Sequence, residues 1–492
     1  MNNLCSSLLV TVLLLAATSG SPGDALSATD ERVTSPSSKV EEMTTAARYA
    51  DLRVLGPLGP EPVIEKTHIT LVAADNGRAN GVLFAPIGTH PSTVIINFHP
   101  NNDRAEHFTM QLLPAAGVAA FGMASRFHKR PGETIQEELA LDIAAAIRYM
   151  RKEGGFKSVV LLGHSGGGGP TAFYLSQAET PQAQRVSGAP AGGGPDLRTA
   201  DLPSPDAYIL MSPTFGITRK LDPSVVDEND LYAVDPALDL YAAKNGFRMP
   251  PEKTTYSEAF LKKFGAAQEA RMARLDQLAR SYVQEETEYR RWVKSPGFES
   301  LPIELQLLVR RRATGGKSLL IHRLVADPKN VDLSLDPSDR SYGLSASQGE
   351  YADHPELQNY SAGSSTFVSA RAFLSSISSL SKNSNWEQSL PRISLPTLFL
   401  YGTADKSIFP GEARGLFEML GSTQKNLVAI EGAEHTYMPA GPKAGKGTQR
   451  NQVVAAIVAW LNGTSVQKLR GGAPAEMPSL RSSGKRRGQS TR

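Results

Sequence analysis

The run "VVLLGHSGGGGP", Val159 to Pro170, constrains the fold more tightly than any other part of this 492-residue chain. Its apolar half is what a buried strand needs. A serine followed by four glycines is not, and it needs a reason of its own. "GHSGG" fits the spacing G-x-S-x-G, and it stands between a strand-like "SVVLLG" and a helix-like "TAFYLSQA", the context that spacing requires. The reason is steric. A serine on a sharp, strained strand-to-helix turn leaves no space for Cβ atoms two residues before and two after it, where Gly163 and Gly167 stand. The helix start behind Ser165 aims free N–H groups, Gly166 among them, and a positive dipole end at any oxygen that becomes negative there. Gly168 and Gly169 exceed what the turn needs; they either let the helix start pack closely or leave room for a ligand. Alone, the spacing is also met by glycine-rich turns with an incidental serine, so its neighbours must decide.

Along the chain, "HITLVAADNG" and "GVLFAPIG" flank an Asn-Gly and predict an antiparallel pair. "STVIINFHP" and "GVAAFGMASRF" read as buried strands. The spacing of Ile135, Leu139, Ile143, Ala146 and Ile147 then predicts a helix, with an acidic first turn and a basic last turn suited to its dipole. With "SVVLLG", the next helix and "DAYILMSP", the alternation implies parallel βαβ units in a doubly wound α/β sheet. The alternation then stops for about 170 residues, from Thr214 to Leu390. That stretch carries long helical patterns, a Ser/Asp-rich region and no strand signal. It resumes with "LPTLFLYGTAD", "NLVAIEGAEH" and the helix "QVVAAIVAWLN". The expected organisation is a first core part over 46–213, a helical insertion over 214–390 and a second core part over 391–465.

The ends differ from this core. "LCSSLLVTVLLLAATSG" has the length of a signal-peptide apolar region, although "MNN" before it carries no Lys or Arg. Residues 1–25 are expected to be a cleaved secretory signal, implying a secreted or periplasmic protein, and otherwise a cytoplasmic one. Residues 26–45 read as a linker. Cys5, the single cysteine, would leave with the signal, so the mature chain would hold no disulfide. The segment 466–492 holds seven Lys or Arg against one Glu and lacks apolar periodicity, which predicts a disordered basic tail. The whole chain carries only +3 and favours no particular partner. The sequons at Asn359 and Asn462 matter only in a eukaryotic secretory route.

A serine hydroxyl is a weak nucleophile and needs a histidine base oriented by a carboxylate. Asp405 follows the strand of "TLFLYGTAD", and His435 follows that of "LVAIEGAEH". Both therefore stand, in the order Ser, Asp, His, at the C-terminal edge of the sheet where ligands bind. Rival residues fit less well. Glu434 adjoins His435 and points elsewhere, Asp222 lies far beyond its strand, and His164 faces away along the turn. After "TVIINF" the loop "HPNND" should supply a second donor to the oxyanion. Pro100 has no N–H, which leaves the backbone N–H of Asn101. His99 either braces that loop or simply caps the strand.

On "HPNN", "GHSGG", "GTAD" and "AEH", the core over Val63–Pro213 and Leu390–Asn462 resembles the α/β-hydrolase fold family. The resemblance implies an eight-stranded, mostly parallel sheet, a cap in the position of the insertion, and hydrolysis without cofactor or metal through a covalent intermediate. The His-Pro in place of the usual His-Gly, and the size of the insertion, depart from the family pattern. Ester or lactone hydrolysis by Ser165, Asp405 and His435 leads. Amide, thioester or carbon–carbon hydrolysis by the same triad, acyl transfer, and a non-catalytic binder on the same fold stay open. The expected partner is a small ester-like molecule. Nucleic acid is not expected, since the tail lacks interleaved aromatics, and neither is a membrane span. In the insertion, Phe260, Leu261, Phe264, Met272, Leu275, Leu278 and Tyr282 recur at helical spacing, which favours packing over a substrate groove.

Overall fold

Strand β3 (Thr93–Phe98) is apolar on both faces apart from Thr93 at its start and the buried Asn97, because it is covered by helices on both sides. It lies centrally in an eight-stranded sheet of order β1-β2-β4-β3-β5-β6-β9-β10. The other strands are β1 (Ile64–Val72), β2 (Arg78–Pro86), β4 (Ala119–Ala124), β5 (Ser158–His164), β6 (Ala207–Met211), β9 (Thr397–Gly402) and β10 (Lys425–Ile430). β2 runs against both of its neighbours, and every other pairing in the sheet is parallel. The expected antiparallel pair at the start and the parallel remainder are both present. The computed structural model describes residues 64–214, 220–336, 338–341, 354, 356–357 and 365–463. The segments read as signal (1–25, with Cys5), linker (26–45) and basic tail (466–492), and the Asn359 sequon, lie outside the described residues. Asn462 is exposed, just beyond the last helix.

Two apolar layers hold the sheet. On one face, helices α2 (Gln136–Lys152) and α3 (Gly168–Ala178) pack Leu139, Ile143, Ile147 and Phe173 against Ile96, Phe98 and Leu161. On the other, α1 (Thr109–Ala115) and α7 (Gln449–Leu461) set Met110, Leu113, Val453 and Ile457 against Ile95, Leu162 and Ile209. The periodic spacing that predicts α2 is thus the spacing of its buried face. α6 (Pro410–Met419) closes the first layer through Ala413 and Leu416.

The insertion differs from the helical expectation in two ways. It contains a two-stranded antiparallel sheet, β7 (Ser318–Ile321) with β8 (Thr366–Ser369), alongside α4 (Glu258–Val293) and α5 (Ile303–Thr314). Four-residue strands are too short to declare a period. Its last residues also belong to the core: Trp386 and Leu390 pack with the α2–α3 layer. Core and insertion form one compact unit. Polar contacts fasten the insertion to the start of α2. There the buried Glu137 carboxylate accepts from Ser375 at 2.7 Å and from Asn383 at 2.7 Å, while the Gln136 N–H donates to Ser375. Burial raises the Glu137 pKa, and the bonds from Asn383 and Ser375 oppose it. Most of the apolar set of α4 is packed: Met272 and Leu275 lie against Leu319, Ile321 and Phe373, and Phe260 and Phe264 against Tyr256, while Leu278 is exposed. Phe373 is fully buried within this cluster. Phe373→Ala should lower stability by about 3–5 kcal/mol in urea titration. A loss under about 1 kcal/mol would show that the cluster is not close-packed.

Candidate active site

β5 ends at His164, and the chain turns at once into the helical start of α3, with Ser165 at the corner. Ser165 adopts φ +53°, a left-handed conformation that costs a side-chain-bearing residue free energy. What permits the corner is the absence of neighbouring side chains. A Cβ on Gly163 would come within 2.4 Å of Thr171 Oγ1, and one on Gly167 within 2.1 Å of the Phe98 carbonyl oxygen. Gly168 plays a packing part, because its Cβ would meet Pro213 at 2.4 Å. Thr214 N–H donates to the Ser165 carbonyl at 3.0 Å, tying the exit of β6 to the corner. Gly166 lies in the first helical turn, where an N–H has no acceptor within the helix.

Asp405 and His435 stand on the loops that follow β9 and β10. Gly402 lets their loops cross, since a Cβ there would meet the Ala433 carbonyl at 2.2 Å. Asp405 is fully buried, and its Oδ1 accepts the N–H groups of Ser407 and Ile408 at 2.8 and 2.9 Å. Its Oδ2 stands 2.9 Å from His435 Nδ1, and His435 Nε2 stands 2.7 Å from Ser165 Oγ. A carboxylate only accepts, so Nδ1 carries the proton and Nε2 is left to accept the serine hydroxyl. Burial pushes the His435 pKa down, but the charge and hydrogen bond of Asp405 outweigh it and hold the ring above its ordinary value. Glu434 turns back on its own loop, accepting from Thr436 and Met438 N–H groups. Asp222 pairs with Arg323 inside the insertion. Serine at a glycine-permitted corner after β5, acid after β9 and histidine after β10, on a sheet with one reversed strand near its edge, decide the architecture. The chain has the α/β-hydrolase fold.

No family model matches this chain, and no curated protein sequence does. Among solved structures it is similar to Est1E from Butyrivibrio proteoclasticus, at 11% identity over 80% of this chain and 98% of that one, with a TM-score of 0.38. The esterase domain of a Rhodothermus marinus protein matches at 12% over 81% and 98%, with a TM-score of 0.36. A Paleococcus ferrophilus monoacylglycerol lipase matches at 16% over 81% and 98%, with a TM-score of 0.33. Likeness this distant adds nothing to the strand order and corner geometry, on which the fold rests.

In this α/β-hydrolase fold, a polar network that the sequence does not announce lies around Ser165 and His435. His164 Nε2 donates to the His435 carbonyl at 3.0 Å. Its Nδ1 accepts from Arg104 at 2.9 Å and from His107 Nε2 at 3.0 Å. His107 Nδ1 accepts from Asn97, whose Oδ1 accepts from Arg104 Nε. The only hint in the sequence is an asparagine inside an otherwise apolar strand. His164 therefore lies behind the corner, as expected. Burial and the Arg104 charge hold both His107 and His164 well below the ordinary imidazole value, so both rings are neutral. Among the described residues no cluster of His, Cys, Asp or Glu could hold a metal ion.

The loop after β3 differs from expectation at one donor. His99 does brace it: its Nδ1 accepts the N–H groups of Asn101 and Asn102, each at 3.1 Å. The Asn101 N–H, expected to face the oxyanion, is thus spent on His99, and Asn101 Oδ1 accepts from Thr134 at 2.9 Å. Gly167→Ala should cost about 1–3 kcal/mol of stability, because backbone rather than a flexible side chain opposes the new methyl. Chemical denaturation measures it; an unchanged midpoint would mean the corner is not set by this contact.

Proposed function

We propose that this chain is a serine hydrolase that cleaves carboxylic esters or lactones. The observation that carries the proposal is the continuous hydrogen-bonded line from Asp405 through His435 to Ser165, at the corner after β5 where the serine is held at φ +53°. Ser165 Oγ attacks the carbonyl carbon while His435 Nε2 takes its proton. The N–H of Gly166 stabilises the tetrahedral oxyanion. As the intermediate collapses, the bond to the leaving oxygen breaks and His435 returns the proton to it. Water, deprotonated by the same nitrogen, then releases the acid and restores Ser165. Asp405 keeps Nδ1 protonated throughout and stabilises the imidazolium. Its own buried position is compensated by the two loop N–H groups.

Turnover of p-nitrophenyl and lactone substrates tests this. Ser165→Ala should lower kcat by about 10⁴–10⁶-fold, since triad members act as a unit. A residual rate within about tenfold of the wild type would contradict the proposal. The pH profile gives a second, independent check. Only neutral His435 is a base, so kcat/KM should fall as pH drops through its pKa, with the acidic limb above the ordinary 6.5. Asp405→Asn removes the group that raises that pKa. It should move the limb to lower pH and cost about 10⁴-fold in kcat by favouring the wrong tautomer.

A further inference from the structure

Gly166 raises a question that its backbone N–H does not answer. Any residue except proline can supply an N–H there, and φ at Gly166 is not in the left-handed region that favours glycine. What excludes a side chain is His99: a Cβ on Gly166 would come within 2.8 Å of His99 Nε2 and 3.4 Å of Cε1. The imidazole edge therefore lies over the Cα of the residue whose N–H faces the developing oxyanion.

The protonation of that edge follows from hydrogen bonding alone. His99 Nδ1 accepts two backbone N–H groups, from Asn101 and Asn102, so it cannot carry a proton. In a neutral ring the proton must then sit on Nε2, and none of the described residues accepts it. The ring is held neutral by burial first, and then by the positive charges of Arg104 and His435, which push its pKa down to about 3. The loop meanwhile offers no other backbone donor at this point: Pro100 has no N–H, and those of Asn101 and Asn102 turn inward to His99.

We infer that the Nε2–H of His99 is the second oxyanion donor, acting beside the Gly166 N–H in the place usually filled by a loop amide. The catalytic role rests on the hydrolase proposal above. It assigns two tasks to one ring: Nδ1 folds the loop, and in doing so fixes Nε2 as the donor. It also explains why the residue after the nucleophile is glycine.

His99→Asn separates the two tasks. Asparagine Oδ1 can occupy the position of Nδ1 and keep the loop bonds, while nothing replaces Nε2–H. On the best p-nitrophenyl ester, kcat should fall about 10²–10³-fold with KM nearly unchanged, the loss seen when one oxyanion donor is removed. Inhibition by a trifluoromethyl ketone, which forms the tetrahedral adduct, should weaken by a similar factor. Gly166→Ala keeps its N–H but displaces the ring, and should lower kcat in the same direction. Combining it with His99→Asn should add little, because both remove the same contact. The thermal midpoint of each variant reports whether the fold is kept. If His99 only braces the loop, His99→Asn keeps kcat within about threefold and the inference falls while the hydrolase stands. If the wild-type protein hydrolyses no ester and forms no adduct with the ketone, the hydrolase proposal falls, and this one with it.

Discussion

The carbonyl oxygen of Phe98, at the end of β3, stands where any Cβ on Gly167 would reach to 2.1 Å. That approach brings the ends of the two central parallel strands together, and most of the site depends on it. It lets the chain leave β5 sharply enough to hold Ser165 at φ +53°, with its hydroxyl turned out toward His435. It also sets the loop after β3 directly beside the start of α3, so that His99 reaches Gly166. The strain at one serine is small, on the order of 1–3 kcal/mol, against the two apolar layers that clamp β3 and β5 from both faces. The sheet can sustain it because these strands lie at its centre.

Behind the serine, Arg104 is a buried cation with no carboxylate partner among the described residues. Burial lowers its pKa to about 10, which still leaves it charged near neutrality. Its partners are neutral acceptors, Asn97 Oδ1 and His164 Nδ1. A lone buried charge is expensive unless hydrogen-bonded, so these acceptors are part of its stability. The arrangement orients three imidazoles at once. Arg104 and His107 fix His164 as an Nε2 donor, and that donor holds the carbonyl of His435. The same positive charge opposes protonation of His435, in competition with Asp405, which favours it. The His435 ring thus feels two opposing charges, and the stronger influence is that of Asp405.

The core and the placement of Ser165, Asp405 and His435 at strand ends were legible because each rests on a local rule. Val159–Leu162 is an apolar strand, Gly163 and Gly167 are what a serine corner needs, and Asp405 and His435 each follow a strand in the right order. Long α4 was legible from its period. β7 and β8 were not, since four residues cannot show alternation and each is stabilised by a partner dozens of residues away. The polar network was illegible for a related reason: Asn97, Arg104, His107 and His164 come from three separate segments and meet only once the sheet forms. Asn101 shows a finer limit. Its place in the loop was readable, but the direction of its N–H depends on which nitrogen of His99 turns inward, and no spacing encodes that.

The most direct measurement is the intact mass of the protein after exposure to a fluorophosphonate, which reacts with an activated serine whatever the natural substrate. The geometry predicts one adduct on the wild-type protein, none on Ser165→Ala, and none within the same time on His435→Ala. Absence of the adduct from folded wild-type protein, or an adduct that persists in Ser165→Ala, would contradict a working triad at this corner.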